Sequence, residues 1–409
     1  MSKFNMNLPS DVLFILDKMK ESGYSAYVVG GSVRDSLIGR PLGDFDITTN
    51  ATPDETKAVF EGYKIVDTGI KHGTVTLVLD GIPYEITTYR VDGDYKDNRH
   101  PECVTFTDRL EEDLARRDFT VNAMAYDPTS GLSDPFGGRE DAEVKIIRAV
   151  GDPRVRFDED ALRILRALRF ASVLGFRIED ATAAAARELA SRLTFISKER
   201  VYTELKKLIM GVDATKILTE YSEIFEIILD GLAIEKMPEK ELFDRADYYS
   251  RLASIFLLNT SEPAACAERI LTELKTDKFT RTHTTSVLSA YESASFDNTG
   301  AALSTLAKYG NEVTEGVLAL GILTGRFSGR EGAIFTEALE CGVPYTIGGL
   351  NIRGTDLIAL GIKGEQIGEA LASLLTAVIG GKVENEKGSL LSFIKAKYGF
   401  TCDIKWVKK

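Results

Sequence analysis

The apolar positions of this chain change their period once. Through the first third, short runs of β-branched and aromatic residues bounded by Gly, Pro or Asp predict strands at Tyr27-Val28-Val29, Asp44 to Thr48, Thr74 to Leu79 and Tyr84 to Tyr89. Beyond about Asp141 that pattern fades and apolar residues recur at helical spacing. Helices are expected over Asp158 to Leu174, Thr182 to Arg192 and Lys198 to Met210, then onward to the end with few prolines. Gly175, Gly211 and Gly348-Gly349 are the expected joints, and no fixed-period repeat interrupts the chain. The expected fold class is an α/β N-terminal head, a mixed β-sheet with flanking helices, followed by an elongated all-α remainder. We divide it into a head (1–139), neck (140–210), body (211–320) and tail (321–409).

Composition narrows the chemistry. The 409 residues are 44% hydrophobic and 27% charged, ordinary for a chain that builds a large core. No run approaches the ~18 apolar residues of a membrane-spanning helix, and Met1 to Asp11 is too polar, and broken too early by Pro9, for a secretory signal. A cytoplasmic, membrane-free protein is expected. Cys103, Cys266, Cys341 and Cys402 lie too far apart for a zinc site or a disulfide framework, and His72, His100 and His283 leave little imidazole for metal binding. Any metal would be a hard cation on carboxylate oxygens. The net charge of −12 argues against a polyanionic partner, but the charge is uneven. Residues 145–207 carry 14 Lys/Arg against 9 Asp/Glu, and residues 382–409 carry 7 against 3.

Gly30-Gly31-Ser32-Val33-Arg34-Asp35 sits where a strand ends and a helix begins. Paired glycines let backbone N–H groups approach a ligand, the helix start adds positive dipole, and Arg34 adds a guanidinium, so the turn suits phosphates. By itself it also suits a plain strand-to-helix connection. Nine residues beyond Asp35 comes Asp44-Phe45-Asp46, where the two-residue strand period puts both carboxylates on one face and Phe45 and Ile47 in the core. Adjacent carboxylates repel unless a cation lies between them, and Mg2+ is the natural occupant. Glu85 on a later strand is the candidate third acid of a two-ion site for nucleotidyl transfer.

These motifs resemble the polymerase-β nucleotidyltransferase superfamily, in its class II tRNA nucleotidyltransferase and bacterial poly(A) polymerase branch. Gly30-Gly31-x-Val33-Arg34-Asp35 and Asp44-x-Asp46 match its signature. Lys71-His72-Gly73-Thr74 and Glu85-Ile86-Thr87-Thr88-Tyr89-Arg90 follow in the family's order. Arg116-Arg117-Asp118-Phe119-Thr120-Val121-Asn122-Ala123 is similar to its ribose-binding motif, which implies that Arg117 and Asp118 meet the nucleotide sugar. Glu159-Asp160-Ala161-Leu162-Arg163 through Phe170 resembles its base-selecting helix, and Ser197-Lys198-Glu199-Arg200-Val201 the motif after it. The match weakens beyond Met210, continuing in Gly354-x-Asp356-Leu357 and Gly361 to Gly368. Val59 to His72 holds no Gly-Arg-Arg-Phe-like element of the poly(A) polymerases, and the loop from Val91 to Asp108 is full length, both pointing to the CCA-adding side.

The base-selecting segment can also be read from chemistry. Asp160 and Arg163, three apart, are expected on one helix face, offering one acceptor and one planar donor array. Cytosine and adenine both present an amino donor beside a bare ring nitrogen. Uracil and guanine present the opposite polarity, and each mismatched buried group costs about 1–3 kcal/mol. An exposed salt bridge is the plainer reading of an isolated Asp-x-x-Arg. Here Arg166 and Arg169 extend it into an expected cationic stripe, for which a triphosphate or RNA backbone is the expected counter-ion.

Taken together, the expectation is template-independent addition of C, C and A to tRNA from CTP and ATP, with release of pyrophosphate. Asp44 and Asp46 are the metal ligands and Glu85 the third catalytic acid. Gly30, Gly31 and Arg34 hold the triphosphate, and Arg117, Asp118, Asp160, Arg163, Arg166 and Arg169 hold sugar, base and nearby phosphate. The helical remainder, with Tyr398, Phe400 and Trp406 at its basic end, is expected to grip the acceptor and TΨC arms. The alternatives are CC- or A-addition alone, or poly(A) synthesis, on the same residues.

Overall fold

Alternation between buried and open positions builds the sheet of the N-terminal part. The computed structural model describes residues 4–70, 73–93 and 104–398. Lys71 and His72, most of the loop from Val91 to Asp108, and Phe400 and Trp406 lie outside the described residues. The chain forms two units, one of residues 1–235 with 273–275, the other of 236–272 with 276–409.

In the first unit, β1 (Ala26–Val29), β2 (Asp46–Thr49), β3 (Lys64–Gly69), β4 (Thr74–Leu79), β5 (Ile82–Thr88), β8 (Ala125–Asp127) and β9 (Gly131–Ser133) make one sheet, in the order β3-β4-β5-β2-β1-β8-β9. β6 (Arg90–Asp92) and β7 (Val104–Phe106) form a separate pair. The sheet is mixed, with β2 and β5 parallel and their neighbours antiparallel. Helix α1 (Ser10–Glu21) buries Val12, Ile15, Leu16 and Met19, at helical spacing, against Val28, Ile47, Leu77 and Ile86 of the sheet. Then come α2 (Gly31–Leu37), α3 (Pro53–Val59), α4 (Leu110–Ala115), α5 (Gly138–Glu143), α6 (Pro153–Glu159), α7 (Leu162–Leu174), α8 (Asp180–Glu188) and α9 (Lys198–Ile209).

Two expected boundaries move. Strand β2 starts at Asp46, so Asp44 lies in the segment before it, although Phe45 packs against the core and Ile47 is buried as expected. The helix expected from Asp158 to Leu174 is broken at Asp160, whose backbone is extended (φ −146°, ψ 103°). Its carboxylate accepts the Leu162 N–H (3.1 Å) at the start of α7, a helix-start role that competes with continuing the preceding helix. A two-stranded parallel pair, β10 (Ile146–Ile147) with β11 (Arg177–Ile178), carries strand structure past Asp141 as far as Ile178.

Helix α7 sits close to α9. Gly211, just after α9, has no room for a side chain, since a Cβ there would fall 2.1 Å from the Ser172 hydroxyl, which itself donates to the Leu208 carbonyl at 2.7 Å. The second unit is helical among the described residues, from Lys240–Arg245 to Lys387–Tyr398. Among the described residues no helix is long and apolar enough to cross a membrane.

Candidate active site

The turn from β1 to α2 needs its first glycine. Gly30 has φ 76° and ψ −129°, and a Cβ there would lie 3.2 Å from the Arg117 Nη1. The backbone and a guanidinium are therefore drawn together just past the end of β1. One residue into α2, Gly31 opens onto Arg34, which is 7% exposed. Its Nη1 donates to Asn122 Oδ1 at 2.6 Å, its Nε to Asp35 at 2.9 Å, and its plane lies 5.1 Å from the Phe170 ring centre. Asp46 begins β2 directly opposite Val29 on one side and Glu85 on the other, so the register puts the Asp46 and Glu85 side chains on one face of the sheet. Desolvation pushes the Asp46 carboxyl above its ordinary value; Arg117 pulls it down and Asp44 pushes it further up. Asp44, Asp46 and Glu85 are exposed and have no hydrogen-bond or ion-pair partner among the described residues.

The acids of the opposite wall are paired. Buried Asp113 on α4 takes Arg116 Nε at 2.9 Å, Arg117 Nη2 at 3.5 Å, the Thr48 hydroxyl at 3.2 Å and the Arg90 N–H at 3.3 Å. It thereby holds both arginines against the sheet. Burial lowers the Arg117 pKa, with Asp113 and Asp46 opposing, and the buried Nε of Arg117 has no partner. Asp118 accepts from the Phe119 N–H (2.9 Å) and Asn122 Nδ2 (3.1 Å) on one oxygen, and from Arg166 Nε (2.8 Å) and Nη2 (2.6 Å) on the other. Burial alone would raise its pKa; Arg166 foremost, then Asn122, outweigh that and bring it down to about 2.

Asp160 divides its carboxylate between the Leu162 N–H and Arg200 Nη2 (2.7 Å) of α9. Arg163 donates to Glu159 (2.5 Å) and to the carbonyls of Arg156 and Arg116, both at 3.3 Å. The two therefore meet the cleft from separate supports, not as neighbours on one helix face. The expected bare cationic stripe is also corrected. Arg166 is held by Asp118, and Arg169 by Glu204 at 2.5 Å while lying 3.8 Å from the Phe170 ring centre. Internal carboxylates, one of them 35 residues further along the chain, supply the counter-charge expected from a ligand.

A cleft of about 440 Å3 collects Gly30, Gly31, Arg34, Asp46, Arg117, Asp118, Asp160, Arg163 and Arg166. Asp44, Glu85 and Arg169 do not line it. Arg116, Asn122, Leu162, Phe170 and Arg200 do, and had been assigned no role. Arg116, Asn122, Phe170 and Arg200 sat inside motifs already noticed. The signal missed was pairing across the fold, Asn122 with Arg34 and Arg200 with Asp160. Six arginines against three aspartates leave the lining positive.

A mixed sheet carrying a Gly-Gly turn beside an Asp-x-Asp strand start, with arginine and aspartate facing across the cleft, defines a nucleotidyltransferase head. Residues 26–148 match the poly A polymerase head domain, 175–233 the probable RNA and SrmB-binding site of polymerase A, and 250–394 the tRNA nucleotidyltransferase domain 2. The CCA-adding enzyme of Geobacillus stearothermophilus is 39% identical over 406 residues, covering 94% of this chain and 96% of the relative. That of Streptococcus pyogenes serotype M3 is 37% identical, covering 95% and 98%. The crystal structure of the Bacillus stearothermophilus CCA-adding enzyme in complex with CTP superposes with a TM-score of 0.76 at 32% identity, covering 95% of this chain and 97% of that one. The chain belongs to the CCA-adding enzyme family.

Enzymes of this nucleotidyltransferase family use divalent metal ions. The residues present fit one. Asp44 and Asp46 are exposed acids without protein partners, and their charges already resist each other. Among the described residues no three or more His, Cys, Asp or Glu side chains form a closed metal group. A divalent ion held here would find the rest of its oxygen ligands in water and substrate.

Proposed function

We propose that this protein adds C, C and A to the 3′ end of tRNA from CTP and ATP without a nucleic-acid template, releasing pyrophosphate, in the cytoplasm. The observation that carries it is one cleft holding an acid at the start of β2, a glycine turn under an arginine, and two aspartates gripped by arginines. Asp44 and Asp46 would hold Mg2+, which when bound supplies charge compensation for the attacking 3′ oxygen and the departing pyrophosphate. Glu85, on the same face as Asp46, adds a third negative charge to that face.

In this reading Gly30 and Gly31 bring backbone to the triphosphate, and Arg34, oriented by Asp35 and Asn122, binds its oxygens. Arg117 and Asp118 hold the sugar. Asp160 accepts the amino group of cytosine or adenine, while Arg163 donates to the adjacent ring nitrogen. A uracil or guanine there sets donor against donor and acceptor against acceptor, each at about 1–3 kcal/mol. Arg166 keeps Asp118 ionised. Arg169, turned onto Phe170 and Glu204, positions α7 against α9. Residues 1–139 act as catalytic head and 140–210 as base-selecting neck. Body (211–320) and tail (321–409) hold the tRNA acceptor and TΨC arms by shape and phosphate contacts.

The test uses a tRNA transcript lacking its CCA end, with CTP and ATP supplied singly and together. CTP alone should give two additions, and both nucleotides three. Absence of C incorporation overturns the reading, and two additions that ATP cannot extend assign the chain to CC-addition.

A further inference from the structure

We propose that Asn122 is a positioning residue that ties Arg34 to Asp118, so that a nucleotide whose phosphates engage Arg34 is discriminated more sharply for ribose over deoxyribose. This rests on the proposed placement of the triphosphate at Arg34 and of the sugar at Asp118. Asn122 ends the short turn Thr120–Asn122, lines the cleft and is 7% exposed. Its Oδ1 accepts from Arg34 Nη1 at 2.6 Å, and its Nδ2 donates to Asp118 Oδ1 at 3.1 Å. Among the described residues no other side chain hydrogen-bonds to both.

The bridge has a single polarity. A guanidinium carries donors and no acceptor, while an ionised carboxylate carries acceptors and no donor. The amide supplies one of each, so Oδ1 has to face Arg34 and Nδ2 has to face Asp118. Hydrogen bonds that run in one direction polarise one another, and the chain continues from Asp118 to Arg166, which donates to its other oxygen at 2.6 and 2.8 Å. An aspartate at position 122 would keep the acceptor for Arg34 and set a second carboxylate against Asp118. An alanine would remove both bonds.

The turn under Asn122 is fixed on both sides. The Thr120 N–H donates to the Arg148 carbonyl at 2.9 Å, and the Asn122 and Ala123 N–H groups donate to the Phe119 and Thr120 carbonyls, also at 2.9 Å. Just downstream the Met124 carbonyl accepts the Gly30 N–H at 3.3 Å and Ala125 pairs with Val29, which seats the amide beside the glycine turn. The two ends of the chain meet again at Phe170, whose ring centre lies 5.1 Å from the Arg34 guanidinium and 5.5 Å from that of Arg166. Arg34, Asn122, Asp118, Arg166 and Phe170 thus close a loop of contacts. A phosphate that pins Arg34 pins the amide, and through it the direction in which Asp118 meets a sugar hydroxyl. A buried amide can simply serve the fold, but this one joins two groups that both face the cleft.

The test is a binding cycle on the full-length protein, with MgCl2 and without tRNA, in which CTP, dCTP, CMP and dCMP compete with a fluorescent CTP analogue. In the unaltered protein the preference for CTP over dCTP should exceed that for CMP over dCMP by about fivefold, because only the triphosphates engage Arg34 fully. In Asn122→Ala and in Asn122→Asp the two preferences should become equal. The backbone bonds of the turn do not use the amide, so both variants keep the fold. Equal preferences in the unaltered protein overturn the proposal without any variant. A merely structural contact would weaken all four ligands by one factor, and a gap retained in either variant overturns the proposal alone. Binding of CTP and dCTP alike by the unaltered protein overturns the sugar placement and the proposal with it.

Discussion

The two sides of the first unit's cleft treat charge in opposite ways. On the helical wall every acid has a protein cation: Asp113 with Arg116 and Arg117, Asp118 with Arg166, Asp160 with Arg200, Glu204 with Arg169. On the sheet side Asp44, Asp46 and Glu85 make no ion pair or hydrogen bond among the described residues, and only the field of Arg117 reaches Asp46. The pKa directions differ as well: Arg166 outweighs burial and holds Asp118 down to about 2, whereas desolvation first, then Asp44, push Asp46 up against the pull of Arg117. A surface whose charges are already satisfied keeps its shape and can present fixed donors and acceptors to a base, as a template strand would. A surface with an uncompensated surplus of negative charge is where a cation and its phosphate ligands are needed. In the proposed function this difference separates recognition from chemistry.

The largest effect should come from the unpaired side. Asp46→Asn should cut CMP incorporation by about a thousandfold or more while tRNA retention on a filter stays near the starting value. Incorporation within tenfold of the unaltered protein would place the chemistry elsewhere. The paired side should respond through stability. Asp118→Asn leaves Arg166 without its main partner and should destabilise the first unit by about 2–3 kcal/mol in urea unfolding. The same contact sets an acid limit. The folded value of about 2 lies below the ordinary 3.8, so the stabilisation is fully present above pH 4 and fades as pH falls toward 2. The loss is about 2 kcal/mol, at about 1.4 kcal/mol for each pKa unit. Asp118→Asn should remove that slope; an unchanged slope would show that other carboxylates carry the acid transition.

Much of this contrast was legible before the fold was known, though unevenly. The strands around Val28, Val75 and Ile86 followed from β-branched spacing, and the glycine turn and Asp46 from local chemistry. What spacing cannot show is which distant residue arrives as a partner. Asp160 and Arg163 have the i, i+3 separation of helix neighbours, yet Asp160 turns its backbone out to start α7 and takes Arg200 from 40 residues away. Arg166 and Arg169 form a cationic stripe in sequence, and only folding brings Asp118 and Glu204 against them. Asp113 sits among Glu111 and Glu112 and looks like one more acid of a solvated first turn, but it is the one of the three that is buried. Glu85 was placed as a third acid by its position on a later strand; its register opposite Asp46 needed the β2–β5 pairing.

The smallest expected effect tests whether the paired wall reads bases or merely holds the fold. Arg200 touches one oxygen of Asp160 at 2.7 Å, while the Leu162 N–H holds the other at 3.1 Å. With both oxygens fixed, the free lone pairs of Asp160 point in set directions, and an amino group is accepted only where they aim. Arg200→Ala frees one oxygen to rotate toward water. Discrimination between CTP and UTP, taken as the ratio of kcat/KM values, should fall roughly fivefold, about 1 kcal/mol, with kcat for CTP changing less than the ratio. The salt bridge is partly exposed, so the melting temperature should move little. Arg200→Lys keeps the charge but not the planar fork, and should restore part of the selectivity. A purely structural contact would lower CTP and UTP use together and shift the unfolding midpoint, whereas a loss of selectivity at unchanged stability makes Arg200 a positioning residue for Asp160.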